Sequence, residues 1–151
     1  MTRRTLLALP LALRLRADSA GEVWALIGDM ADSLTEANAE GFLASCDPKM
    51  AGYEDLRANV TALIAESVPP ASMAQSDREG IFCSIGLASE EGDDKARSVE
   101  LDWIMDIRMR SGGVGSVRRQ QRVKLRVEKR GKKWRVVSLD PISFFAPPET
   151  K

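Results

Sequence analysis

The chain changes its hydrophobic period once, from a helical repeat in its first half to a strict alternation in its second half. Between residues 20 and 66, apolar residues recur every three or four positions, which is the spacing of amphipathic helices. After Ala71 they recur at every second position, which is typical of half-buried strands. The pattern therefore predicts an α+β domain, with helices first and a sheet second.

The first helix is expected at about 20–34. Ser19 and Glu22 have the spacing of a capping box, in which their side chains satisfy free backbone amides at a helix start. The stripe expected to face the core comprises Val23, Trp24, Ile27, Met30 and Leu34. This helix is predicted to cover one side of the sheet.

Two further helices are expected before the period changes. Thr35 is the predicted cap of a short second helix. That helix ends at Asp47, because Pro48 disfavours the helical conformation of the residue before it. A third helix is expected at about 53–66 and is stopped by the prolines at 69 and 70.

The alternating half predicts four strands joined by short turns. The strands are expected at about 81–87, 99–109, 117–127 and 134–145, with turns at 90–94, 112–115 and 130–132. The second strand is expected to bury the face that carries Val99, Leu101, Trp103, Met105, Ile107 and Met109. Neighbouring strands must be antiparallel, because a parallel connection needs a crossover of about a dozen residues or more.

This order of elements, closed by a strand that begins Lys133-Trp134-Arg135-Val136-Val137, resembles the nuclear transport factor 2-like superfamily, which includes ketosteroid isomerase and SnoaL-like proteins. The resemblance covers about 20–146. It implies a cystatin-like cone, in which the sheet bends around three helices and leaves a pocket at its open end. Members of the superfamily range from enzymes to binding modules and partner-docking domains, so the fold alone does not select a function.

The first nineteen residues have the features of a short export signal. Arg3 and Arg4 precede an apolar run at 6–13, and small residues follow at 17–19. The segment also resembles a twin-arginine signal, which predicts a periplasmic or secreted protein. The alternative is a disordered, uncleaved N-terminus of a cytoplasmic protein. The apolar run is shorter than the roughly 20 residues that span a bilayer, so permanent membrane insertion is not expected.

Charge and composition narrow the classes of partner. The 151 residues contain 22 basic and 22 acidic side chains, so no global field favours nucleic acid or an anionic membrane. Exposed aromatic residues do not alternate with the basic ones, so nucleic acid binding is not expected. The domain is predicted to end near residue 146, followed by a tail at 147–151.

Histidine is absent, and the chain has two cysteines. The absence of histidine removes the commonest general base near neutral pH, the usual zinc ligand and every histidine-dependent triad. Cys46 and Cys83 form no CxxC pair, and buried free thiols are favoured over a disulfide between them. We predict no metal and no cofactor.

Strand phase selects the polar residues that look into the cone. Arg119 and Gln121 are in phase with the apolar residues of the third strand, so both are candidate ligand-binding residues. The arginine suits a carboxylate or phosphate. Alternatively it reaches water or pairs with an internal acid such as Asp47. Trp24, Trp103 and Met105 are expected to line the same pocket or to belong to the core.

Asp47 and Tyr53 are the candidate catalytic residues. In ketosteroid isomerase, an aspartate after the second helix is the proton-shuttling base, and the resemblance places Asp47 nearest to it. The first helix offers Trp24 and no tyrosine, and Asp102 and Asp106 lie out of phase with the inner face. Because inward oxyanion donors are missing, a turn role for Asp47 beside a proline is favoured.

The outer face of the sheet is predicted to be charged. The third strand carries basic residues on this face, Arg118, Arg122, Lys124 and Arg126. The second strand carries acidic residues on the corresponding face, Glu100, Asp102 and Asp106. This face is a solvated, salt-bridged surface, a dimer surface, or an anion-binding stripe extended by Lys129, Arg130, Lys132, Lys133 and Arg135. We therefore predict an exported, non-enzymatic domain that binds a small organic or anionic ligand or a protein. The alternatives are a SnoaL-like or isomerase-like enzyme using Asp47, and a structural homodimer formed through this face.

Overall fold

The computed structural model describes residues 2–69, 80–110 and 116–148, with side chains from residue 19 onward. This part contains helices α1 (Thr2–Thr35), α2 (Ala39–Ala44) and α3 (Tyr53–Glu66). Strands β1 (Ile81–Gly92), β2 (Ala96–Ile107), β3 (Val117–Arg130) and β4 (Lys133–Asp140) follow, and then a 3-10 helix, Ile142–Phe145. The predicted order of helices and strands is confirmed. The residues of the expected stop at 70 and turn at 112–115 lie outside the described ranges.

The four strands form one open, curved antiparallel sheet in the order β1-β2-β3-β4. The predicted inner face of β2 is confirmed, since every second residue from Val99 to Met109 is buried. These side chains meet the buried stripe of α1 and the buried residues of α2 and α3 in one hydrophobic core. Burial of this apolar surface is the main force that holds helices and sheet together.

Helix α1 differs from its prediction in two respects. It starts at Thr2 rather than near residue 20, so Ser19 lies inside the helix and the expected capping box is wrong. Trp24 is 43% exposed and lies outside the core. Successive residues of a helix are about 100° apart, so Trp24 falls beside the stripe that its neighbour Val23 shares with Ile27.

The cap of α2 is Asn38 and not Thr35. The Asn38 side chain accepts a hydrogen bond of 2.9 Å from the Gly41 amide. Thr35 is instead the last residue of α1, and its hydroxyl donates to the Ala31 carbonyl. Both residue types cap helices, and the position of the break between α1 and α2 decides between them.

The last strand is shorter than predicted, because the chain leaves the sheet at Pro141. β4 ends at Asp140, and the 3-10 helix turns Phe144 and Phe145 into the core. The ring of Phe145 lies edge-on to Trp103, with 5.1 Å between centroids. Two aromatic side chains from the end of the chain therefore fill the space beneath the centre of the sheet.

Both edge strands contain a β-bulge. Ala88 is an extra residue in β1, between Leu87, which pairs with Leu101, and Ser89, which pairs with Glu100. Val137 is the corresponding extra residue in β4. The bulge at Ala88 reverses the phase of the residues that follow it. Glu90 consequently turns inward, while Leu87, which precedes the bulge, is exposed at the edge.

The acidic turn expected at 90–94 lies later in the chain, because β1 continues to Gly92. The turn is made by residues 93–95, where the Asp93 carboxylate accepts hydrogen bonds from the amides of Lys95 and Ala96. These bonds lower the pKa of Asp93. Gly92 has φ 143° and lies against the backbone of Ala96, so a side chain here would be both strained and obstructed.

The two cysteines are free thiols, as expected, but only Cys46 is buried, while Cys83 is half-buried. Burial raises the pKa of Cys46 from 9.0 to about 12, and the Arg135 guanidinium opposes the shift. Burial likewise raises the pKa of Cys83 to about 11, against the effect of the Trp103 indole. Trp103 Nε1 is buried and makes no hydrogen bond of ordinary geometry.

Stability is therefore expected to fall as the pH rises from about 9 to about 12, since the unfolded chain ionises its thiols while the folded chain keeps them protonated. The pH dependence of the urea midpoint measures this loss. Cys46→Ala is expected to flatten it, because one of the two shifted groups is gone. An equally steep decline in Cys46→Ala would contradict the role of that thiol.

No helix of the described residues is long and apolar enough to cross a membrane.

Candidate functional site

Arg119 points from β3 beneath the sheet and is held by the 3-10 helix. It lies directly opposite Met105 in the register of β2 and β3. Its Nη1 donates a 2.6 Å hydrogen bond to the Phe144 carbonyl oxygen. Partial burial lowers the pKa of the guanidinium. Arg119 therefore has an internal partner, as one of its predicted alternatives required, but the partner is a backbone carbonyl group and not an acidic side chain.

The other candidate pocket residues do not form one group. Trp103 and Met105 lie next to Arg119 and are completely buried, at 0% exposure. Gln121 pairs with Trp103 across the strands but is exposed. Trp24 is on the exposed side of α1. The structure thus brings Arg119, Trp103 and Met105 together, and the two tryptophans lie in different environments.

Asp47 is a turn residue, which is the role that the sequence favoured for it. Its Oδ1 accepts a 2.9 Å hydrogen bond from the Lys49 amide, and its Oδ2 lies 3.4 Å from Nη2 of Arg130. Its own amide donates to the Val136 carbonyl, at 2.8 Å. The Asp47 amide therefore attaches the α2–α3 loop to β4, while its carboxylate closes the turn at Lys49 and pairs with the end of β3. Tyr53 lies elsewhere, in a groove between the helices and β4.

A half-buried polar cluster that sequence reasoning missed joins α1 to the sheet. Nη1 of Arg97 lies 2.7 Å from Oε1 of Glu90, and the two side chains are 11% and 18% exposed. Nε of Arg97 also donates to the Ser19 hydroxyl, at 3.2 Å. Arg97 is in phase with Val99, so alternation carried a signal for it. The inward position of Glu90 could not be read from alternation, because the bulge at Ala88 moves Glu90 from the outer to the inner face of the sheet.

The outer face carries the predicted rows of opposite charge. Arg122 bridges Asp102, with 2.7 Å between Nε and Oδ1, and approaches Glu100 at 3.7 Å. Lys124 lies 3.5 Å from the same Glu100 carboxylate. These side chains are one-third to two-thirds exposed, so solvent screening leaves each pair only a small contribution to folding. The prediction that Asp102 faces away from the core is confirmed.

A trough of about 520 Å³ crosses this outer face between the two bulged edges. Glu91 and Glu100 line it on the side of β1 and β2, and Lys124 and Arg126 line it on the side of β3. Ser89, Ser98 and Ser138, from three strands, also line it, as does Asp140 at the end of β4. The trough is therefore polar, with acidic residues on β1 and β2, basic residues on β3, and one further acidic residue on β4.

The described residues contain no group of three or more acidic or cysteine side chains that could hold a metal ion. Candidate sites among the described residues include the internal cluster at Arg119, the trough and the groove that Tyr53 lines.

Solved structures with similar folds identify the architecture. A protein from Novosphingobium aromaticivorans, provisionally described as a scytalone dehydratase, superposes with a TM-score of 0.63 at 10% identity, over 92% of this chain and 85% of that one. A nuclear transport factor 2-like superfamily protein from Salmonella enterica gives 0.60 at 14% identity, over 89% and 95%. A protein with a cystatin-like fold from Novosphingobium aromaticivorans gives 0.59 at 19% identity, over 89% and 86%.

The chain has the cystatin-like fold of the nuclear transport factor 2-like superfamily, as the resemblance predicted. No protein-family model matches the sequence, and no curated protein matches it. At identities of 10 to 19%, these similarities establish the fold alone, and function has to be argued from the residues of this chain.

Proposed function

We propose that this chain is a non-catalytic interaction domain that pairs with a second copy of itself through the outer face of its sheet. The observation that carries the proposal is the division of this face into an acidic row on β2 and a basic row on β3, side by side on the two central strands. A two-fold axis that lies in the interface, parallel to the strands and midway between β2 and β3, would lay each row over the opposite row of the partner.

The face also offers apolar area to such a partner. Phe82 on β1 is 48% exposed, and Ile104 on β2 is half-buried on the same side of the sheet. Stable interfaces combine an apolar centre with a polar rim. The exposed pairs gain strength when a partner excludes water from them, because the local dielectric constant falls.

The interior supports this choice over a ligand in the cone. Trp103 and Met105 have no exposed surface, and the Arg119 fork already binds the Phe144 carbonyl. A ligand at these residues would have to displace the 3-10 helix. The export signal at 1–19 stays a prediction.

Reversing the charge of one row at a time tests the proposed dimer. Glu100→Lys with Asp102→Lys makes the face basic, and Arg122→Glu with Lys124→Glu makes it acidic. Each variant alone is expected to be monomeric by light scattering, because like charges would then meet across the axis. An equimolar mixture of the two variants is expected to form a heterodimer. Because both variants also lose the ion pairs within their own chain, this recovery shows that the charges act across the interface.

Glu36→Lys is the control for net charge, since Glu36 is exposed after α1 and outside the face. This variant should remain dimeric. A monomeric wild-type protein at high concentration, or a mixture that stays monomeric while both variants are folded, would refute the proposal.

A further inference from the structure

A second concave surface lies between α2, α3 and β4. This helical groove has a volume of about 460 Å³, which falls within the range of about 300–1,000 Å³ that small-molecule sites occupy. Leu43 and Pro48 give it apolar lining, while Tyr53, Arg57 and Arg135 bring polar groups to it. An apolar body with a few polar groups around it is the usual composition of a small-ligand site.

Arg135 lies in this groove without an acidic partner. It is directly opposite Glu128 in the register of β3 and β4. The Glu128 carboxylate, however, pairs with Arg126 at 3.5 Å and with Arg130 at 3.1 Å. Among the described residues, no carboxylate lies within ion-pair distance of Arg135. Arg135 and the buried Cys46 both line the groove.

Arg57 and Tyr53 supply a second cation and a hydroxyl from α3. They are four residues apart, so they lie on the same face of the helix. Within the described ranges, neither side chain makes a hydrogen bond or an ion pair. Two guanidinium groups and a phenol thus border one groove. Their hydrogen-bond donors have no partner among the described residues.

We propose that the helical groove binds a small organic monocarboxylate with an apolar body. The carboxylate accepts hydrogen bonds from the Arg135 and Arg57 forks, which match its planar geometry, and the apolar body lies against Leu43 and Pro48. Glu40 also lines the groove, so the charge around it sums to one positive unit. That balance suits a single negative charge better than the double charge of a phosphate.

Benzoate tests this assignment, because it joins one carboxylate to an apolar ring. In a titration of the ¹⁵N-labelled protein, the amide signals of Leu43, Tyr53 and Arg135 are expected to shift together with a dissociation constant of about 1 mM. Arg135→Gln and Arg57→Gln are each expected to weaken binding by about tenfold. Benzamide, which has the same ring without the charge, should leave these signals unmoved.

Lys95→Gln is the matched control, because it removes one positive charge from the β1–β2 turn, outside the groove. It should bind benzoate as the wild type does. Since Arg57 is exposed and makes no hydrogen bond or ion pair within the described residues, Arg57→Gln keeps the test valid if Arg135→Gln fails to fold. Shifts that map elsewhere, that benzamide reproduces, or that persist unchanged in Arg57→Gln would overturn the proposal.

Discussion

Replacing Phe145 with alanine is expected to lower the free energy of unfolding by about 3–5 kcal/mol. Phe145 is completely buried, and its ring lies 5.1 Å from Trp103 and 5.3 Å from both Phe42 and Phe144, measured between centroids. Truncation leaves a cavity bounded by three rigid aromatic rings, which have little freedom to close it. Urea denaturation followed by far-ultraviolet circular dichroism measures the loss.

Trp24→Ala is the control for the removal of an aromatic side chain. Trp24 is 43% exposed and outside the core, so its loss should cost no more than about 1 kcal/mol. If Phe145→Ala were as stable as Trp24→Ala, the 3-10 helix would not be the core element that its burial indicates.

Replacing Glu90 with leucine is expected to cost about 3 kcal/mol, because it leaves the Arg97 charge without its partner in a site where that side chain is only 11% exposed. The Ser19 hydroxyl remains as a hydrogen-bond partner but carries no charge. The double variant Glu90→Leu with Arg97→Met removes both charges, and we expect it to recover most of the lost stability. Chemical denaturation of the four proteins in this cycle gives the coupling energy between the two sites.

The exposed ion pairs provide the comparison. Arg130 bridges Asp47 at 3.4 Å and Glu128 at 3.1 Å, with its side chain 54% exposed. Arg130→Gln is therefore expected to cost less than about 1 kcal/mol. A double variant as unstable as Glu90→Leu alone would show that Arg97 stabilises the fold through its packing and the Ser19 contact rather than through the ion pair.

The sequence predicted the parts of the fold in which one period runs without interruption. In β2, alternation continues from Val99 to Met109, and each apolar position is buried as expected. In α3, the helical period and its bounds, Tyr53–Glu66, are both confirmed. Periodicity is reliable here because each side chain's direction follows from the backbone geometry alone.

Prediction failed where a single residue shifts the period or where distant segments meet. The extra residue Ala88 sends Glu90 to the inner side, and no alternation rule reveals an insertion of one residue. The groove around Arg135 depends on the bridge between Cys46 and Val136, which joins segments about ninety residues apart. Arg97 is different, because its phase with Val99 was visible and only its charge argued against burial.

The bulge at Ala88 also affects how this sheet meets other sheets. β1 and β4 are the edges of the described sheet, and an open edge is a template for pairing with strands of other chains. Segment 45–47 covers β4 at Val136, whose amide donates to the Ser45 carbonyl and whose carbonyl accepts from the Asp47 amide, at 2.8 Å each. β1 has exposed Phe82 and Leu87 but an interrupted ladder. β1 is thus the edge with the greater tendency to nucleate aggregation. Its bulge at Ala88, however, interrupts the regular hydrogen-bonding pattern that an incoming strand would need along its whole length.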